Sequence, residues 1–187
     1  MSRYSKEKVV YLPGWLDLAE LHPEFFGLEI WKKDIDPEKT IKAEYLIGNS
    51  LGCHFALLNW RKNRNAKLIL INPPLEKRPF LAWMWRWIKF AFFEGWRHFD
   101  RKKARNSRNI FQMIQKARAF FQEDYWPIVS SVPAGDLLIV RGGKDDFFCD
   151  QKILKKARSK NIAVFEIPEM GHAWEGKYIG KIGQFIR

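Results

Sequence analysis

With 187 residues, 47% of them apolar and 16% aromatic, the chain is long enough for one domain with a sizeable core, and its composition excludes disorder. A formal charge of +12 points to an anionic partner and carries no information on fold. Two cysteines, Cys53 and Cys149, exclude a disulfide framework and a cysteine-only zinc site, and are read as reduced cytosolic thiols.

Met1 to Lys8 is polar and leads straight into a strand, so no signal peptide is expected. Nor is any uncharged apolar run long enough to span a bilayer. The expected location is cytoplasmic, with peripheral membrane contact left open. Lys8 to Leu12 is a short β-branched and apolar run ended by Pro13-Gly14, which predicts a buried strand and a turn. Trp15 to Phe26 predicts a loop with a short helix. Leu28 to Trp31 predicts a second strand, closing near Pro37. About ten residues then lead to a third, Ala43 to Ile47, which leaves room for one or two helical turns at most.

Leu51 to Asn63 places Cys53, Ala56, Leu57 and Trp60 at i, i+3, i+4, i+7, the spacing of an amphipathic helix. Lys67 to Asn72 is another buried strand, stopped by Pro73-Pro74. The segment from Leu75 to Val132 breaks the rhythm. Gly135 to Val140 resumes it, a basic helix follows at Gln151 to Ser159, and the last strand is Ile162 to Ile167. A short helix near Lys177 to Ile186 ends the chain. Strands that are continuous apolar runs, alternating with helices, predict a mostly parallel sheet covered on both faces.

Gly48-Asn49-Ser50-Leu51-Gly52 lies between the third strand and the helix after it. A Gly-x-Ser-x-Gly there is the nucleophile elbow, a sharp turn that lifts a serine at a helix start. The flanking glycines let strand and helix pack closely around it. A serine nucleophile needs a base, and the base needs a group to hold its tautomer. Asp145 follows the strand ending at Val140, and His172 follows the strand ending at Ile167, 27 residues further on. Asp146 stays open as the alternative acid. His54 is read as a packing or supporting residue, and His22 and His98 carry no signal. Gly142-Gly143 is read as a turn, not a phosphate loop, so no cofactor and no metal is expected.

Through Gly48 to Gly52, Gly142-Gly143-Lys144-Asp145, Gly171-His172 and the strand ending Leu12-Pro13-Gly14-Trp15, the chain resembles the α/β-hydrolase superfamily. The resemblance covers nearly the whole chain outside the insert. It implies a trimmed α/β-hydrolase fold of about six strands, with Ser50 attacking, His172 as base then acid, and Asp145 orienting it. It also implies an oxyanion hole from the backbone N–H groups of Trp15 and Leu51. The activity implied is that of a serine esterase or thioesterase working through an acyl-enzyme. A basic lid and the Leu12 to Trp15 loop also resemble the short biotin-pathway carboxylesterases, which implies a small-molecule or carrier-linked acyl ester as substrate.

Residues 75–132 fall where this fold commonly places a helical lid. They hold twelve Lys or Arg against five Asp or Glu, so seven of the twelve net positive charges, and five of the nine tryptophans. Leu81 to Phe93 predicts a helix apolar almost all round, and such a helix is buried or sits in lipid. Arg101 to Arg108 is a basic loop, and Asn109 to Gln122 a second helix with Ile110, Met113, Ile114, Ala117 and Phe121 on one face. Trp85, Ile88, Phe92 and Met113 are the candidate lining of an acyl pocket. The basic outer face would suit an acidic carrier protein or anionic lipid. Nucleic acid is disfavoured, because no RNA-recognition signature accompanies the aromatics. The competing class is a non-catalytic module recruited to membranes or an acidic partner through the insert.

Overall fold

The computed structural model describes residues 8–15, 17–28, 30, 40–95 and 110–186, with 110–113, 116 and 119 by backbone alone. Its centre is a six-stranded, all-parallel sheet: β1 (Val9–Leu12), β2 (Phe26–Gly27), β3 (Tyr45–Asn49), β4 (Lys67–Ile71), β5 (Leu137–Gly142) and β6 (Ala163–Ile167). The spatial order is β2-β1-β3-β4-β5-β6. The helices are α1 (Gly52–Lys62), α2 (Phe80–Phe93), α3 (Ile110–Phe121), α4 (Trp126–Val129), α5 (Gln151–Ser159) and α6 (Ile179–Ile182).

Every residue of β1, β3 and β5 is buried, as the unbroken apolar runs require of strands covered on both faces. Alternation then divides the core. Val10, Leu12, Leu46, Leu68, Leu70 and Ile139 face α1, α5 and the insert. Val9, Tyr11, Ile47, Ile69, Ile71 and Val140 face a smaller core closed by Met170, Trp174, Tyr178 and Ile182. On the larger side Cys53, Ala56, Leu57 and Trp60 of α1 are all buried, and full burial of each large one contributes about 2 kcal/mol.

The second strand starts earlier than the expected Leu28, at Phe26. Among the described residues Phe26–Gly27 pair with β1, extended by one bond from Leu28 N to Tyr11 O; Glu29 and Trp31 lie outside the described residues. Of the apolar run, Ile30 is buried and Leu28 half-buried against the larger core. The closing helix is also less regular than Lys177 to Ile186 suggests: a 3-10 turn, Gly176–Tyr178, runs into the single turn of α6. Arg101 to Arg108 and His98 lie outside the described residues.

The insert's two helices pack on each other through Trp83 and Phe121, with ring centroids 3.5 Å apart. Both rings are buried in the larger core. Ala117 and Phe121 of the anticipated α3 face are buried and Ile114 half-buried, while the side chains of Ile110 and Met113 lie outside the described residues.

Close approach at the top of β3 requires two of the glycines. A Cβ on Gly52 would run into the Leu12 carbonyl, and one on Gly48 into the Cys53 backbone. Neither neighbour is a side chain that can rotate away. Gly52→Ala is therefore expected to lower the unfolding free energy by about 3 kcal/mol, at the upper end of overpacking costs. Gly135→Ala, where nothing lies within 4 Å, is expected to leave it nearly unchanged. Urea titration of both variants distinguishes the two.

Candidate active site

Ser50 occupies the turn between β3 and α1 with φ of 50°, a left-handed conformation disfavoured for an L-residue with a side chain. Its N–H is held by Ile71 O at 2.8 Å, and Cys53 N bonds back to Ser50 O at 3.0 Å, so the turn is tied to β4 and to α1. Strain of this kind persists only where surrounding structure over-determines it. The Cys53 thiol adds to the tie by donating to Gly48 O at 3.1 Å.

The three side chains anticipated from the sequence meet at the C-terminal ends of the strands. His172 Nε2 lies 2.8 Å from Ser50 Oγ, and His172 Nδ1 lies 2.8 Å from Asp145 Oδ2. Asp145 is fully buried, and its carboxylate also accepts from the backbone N–H groups of Phe147, Phe148 and Cys149. Burial alone would raise its pKa. The opposing charge and hydrogen bond of His172, with the Phe148 and Phe147 amides, outweigh burial and hold the carboxyl below its usual range. Asp146, the open alternative, points to solvent with 84% of its side chain exposed and pairs with Arg141 instead.

Gly14 brings the loop after β1 onto the elbow: a Cβ there would lie 3.1 Å from Ser50 Cβ. Trp15 and Leu51 thus flank the serine on the two segments the sequence indicated, and neither N–H donates to another backbone group among the described residues.

Above the serine sits the inner face of α2, and it is not the face expected. Trp85, Ile88 and Phe92 are exposed. The side chains turned inward are Trp83, Trp87 and Phe90. Trp87 meets Trp15 edge-on at 4.3 Å, and Phe90 lies 5.2 Å from the His172 ring. Phe148 covers another side of that ring at 4.4 Å. Both triplets fit helical spacing. Arg86 and Lys89 make only a thin polar stripe, and it lies between the two sets, so periodicity had little with which to choose between them.

Three polar residues that the sequence did not flag hold the loops in place. Asn72, fully buried with φ of 48°, accepts from Gly142 N at 2.7 Å and donates to Gly171 O and His172 O at 2.9 and 2.7 Å. Arg141, 1% exposed, donates to the carbonyls of Gly143, Asp145 and Cys149 and to the carboxylates of Asp146 and Glu166. A lone cation ending an apolar strand was the available clue. Glu94, just past α2, accepts from His172 N at 2.6 Å and from Ala173 N at 3.2 Å. His54 is a packing residue: it stacks on Tyr125 at 4.2 Å, and burial lowers its pKa to about 4 against the opposing Pro74 carbonyl.

His22 is part of a buried polar cluster rather than an idle loop residue. Its Nε2 lies 2.8 Å from Asp17 Oδ2, its Nδ1 3.6 Å from Glu24, and Glu24 in turn accepts from Trp174 Nε1. Tyr11 OH donates to Asp17 as well. Among the described residues no group of three His, Cys, Asp or Glu side chains is placed to hold a metal ion.

No family model matches this sequence, and no curated protein matches it. Solved structures do match. A hydrolase from Oleispira antarctica aligns over 96% of this chain and 91% of its own, with a TM-score of 0.62 at 15% identity. An α/β hydrolase from a Medee basin deep-sea metagenome library aligns over 96% and 86%, with a TM-score of 0.61 at 15% identity. A structure described among carboxylesterases of the ammonia-oxidizing thaumarchaeon Nitrososphaera gargenis aligns over 90% and 84%, with a TM-score of 0.55 at 13% identity. The chain therefore has the α/β-hydrolase fold, trimmed to six parallel strands.

Two outcomes are expected from the polar groups. Replacing Asn72 by Ala strands the Gly142 N–H and two carbonyls, and puts an alanine at positive φ. The expected loss is about 3 kcal/mol of unfolding free energy, measured by urea titration. For His22, burial alone would lower the pKa, but hydrogen bonds and charge from Asp17 and Glu24 outweigh it and raise it from 6.5 to about 9. A raised histidine stabilises fully below the unfolded pKa, and that stability is lost as pH rises through the folded one. Stability is therefore expected to fall between pH 6.5 and 9, by on the order of 3 kcal/mol, and His22→Gln to flatten that slope.

Proposed function

We propose that this protein is a serine hydrolase that cleaves a carboxylic ester or thioester through an acyl-enzyme. The observation that carries the reading is the unbroken line Ser50 Oγ, His172 Nε2, His172 Nδ1, Asp145 Oδ2, with 2.8 Å at each hydrogen bond. A histidine bridging a strained serine and a buried carboxylate has no packing reason to take that geometry. The described hydrolase and carboxylesterase neighbours share the fold that presents it.

In this reading Ser50 Oγ attacks the acyl carbon while His172 Nε2 takes its proton. Asp145 fixes the tautomer with Nδ1–H donated to its carboxylate, and stabilises the imidazolium that forms. The N–H groups of Leu51 and Trp15 bind the oxyanion, one such donor contributing about 3 kcal/mol. His172 then protonates the leaving alcohol or thiol. Water repeats the sequence on the acyl-enzyme and releases the acid. Residues 75–132 act as the lid, with Trp87 and Phe90 as the aromatic wall against which an acyl chain lies. The substrate is a free or carrier-linked acyl ester, and two buried free thiols, Cys53 and Cys149, suit a reducing compartment.

A fluorophosphonate probe is expected to label wild-type protein once, at Ser50, and to leave Ser50→Ala unlabelled. Asp145→Asn is expected to reduce kcat on an aryl ester by about 10⁴, since it removes the acceptor that sets the tautomer. A folded wild type that neither labels nor hydrolyses a chain-length series of esters and thioesters sinks the proposal.

A further inference from the structure

Seven large hydrophobic side chains are exposed among the described residues, and five of them belong to α2: Leu81, Trp85, Ile88, Phe92 and Phe93, at 42 to 80% exposure. At 100° per residue, Leu81, Trp85, Ile88 and Phe92 fall within about 60° of one another, so they form one ridge along the helix. A monomer rarely leaves such a ridge in water without a use for it.

We propose that this ridge docks the protein onto an anionic lipid surface. Charge selects that occupant. Lys89 edges the ridge with its ammonium 5.5 Å from the Trp85 ring, where a lysine stem lies over apolar surface and its head reaches lipid phosphate. Lys77 is exposed just before the helix. No exposed residue of α2 is acidic, and Glu94 beyond it is turned inward onto His172 N. A second copy would bring the same positive surface against itself, in a chain carrying +12 overall. The ridge also carries Trp and Phe side chains of the kind that enter the headgroup boundary. At 14 residues α2 lies in that boundary and does not cross, and no helix among the described residues is long and apolar enough to span a membrane.

The opposite face of the same helix carries Trp87 against Trp15 and Phe90 against His172. A docked α2 therefore sets the site directly beneath the lipid surface. The inference rests on exposure and charge and does not need Ser50 to react, so Ser50→Ala protein is expected to bind vesicles as wild type does.

The test is co-sedimentation of the intact chain with vesicles of phosphatidylcholine plus phosphatidylglycerol, against phosphatidylcholine alone. Wild type is expected to bind the anionic vesicles at least about tenfold more tightly, and less so as salt is raised. Leu81→Ser/Phe92→Ser, two of the most exposed positions, is expected to lose about tenfold or more of that binding while its circular dichroism and urea midpoint stay at wild-type values. Lys89→Glu, which leaves the ridge intact, is expected to weaken binding at low salt and not at high salt. Failure of wild type to bind at low salt, or equal binding by the double variant, overturns the proposal. So does a wild-type dimer on size-exclusion that the double variant abolishes with no vesicle binding by either, which would assign the ridge to a second copy. A monomer inert to vesicles whose ridge captures an acidic carrier protein overturns it equally.

Discussion

Because Gly52 has no Cβ, α1 begins hard against the Leu12 carbonyl, and that approach fixes where Ser50 stands relative to the loop carrying Trp15. The serine's left-handed backbone is a consequence. The chain must reverse within about two residues between a strand and a helix that touch, and few φ, ψ combinations achieve that. Strain of about 1–2 kcal/mol at one residue is small beside the two apolar cores packed on either face of β3. The elbow is held because everything around it is already committed.

Placing the histidine is a different problem: Met170 and Trp174 pin its loop past β6 in the smaller core, but the backbone between them still has to be tied. Polar groups supply the anchoring. Asn72 binds the strand end at Gly142 and the carbonyls of Gly171 and His172 from below, while Glu94 takes the His172 N–H from above. Arg141 gathers three carbonyls of the 143–149 turn, so Asp145 approaches His172 from a fixed direction. A buried guanidinium is costly to desolvate, and its five hydrogen bonds offset that cost rather than add much net stability. Its contribution is geometric: it specifies one conformation of a turn that would otherwise have several.

The fold was legible in the sequence because four of its strands are continuous apolar runs with clear stops. The elbow was legible because its glycines are chemically required. Ser50, Asp145 and His172 could be placed at strand ends by order alone. Asn72, Arg141 and Glu94 could not, since their partners are mostly backbone atoms 70 or more residues away, or carbonyls that any sequence possesses. His22 is similar: Asp17, Glu24 and Trp174 give it meaning, and only folding puts Trp174 beside a segment 150 residues earlier. For β2 the apolar pattern marks the packing of Leu28 and Ile30 and not the Phe26–Gly27 pairing, because an exposed Phe and a Gly carry no burial signal.

Helix α2 shows where hydrophobic pattern stops being informative. Apolar apart from Arg86 and Lys89, it offers Trp83, Trp87 and Phe90 to the protein and Leu81, Trp85, Ile88 and Phe92 to solvent, with nothing in residue type to separate the two apolar sets. A helix that served only to cover the sheet would gain by making its outer face polar. Each large apolar side chain left in water forgoes roughly 1.5–3 kcal/mol that burial would return. The two faces are also mechanically one body: Glu94 at the helix end grips the His172 backbone, and Arg86 on its flank donates to Phe147 O in the turn that holds Asp145. Any surface that engages the outer ridge therefore acts on the same rigid element that holds the His172 backbone and the turn carrying Asp145.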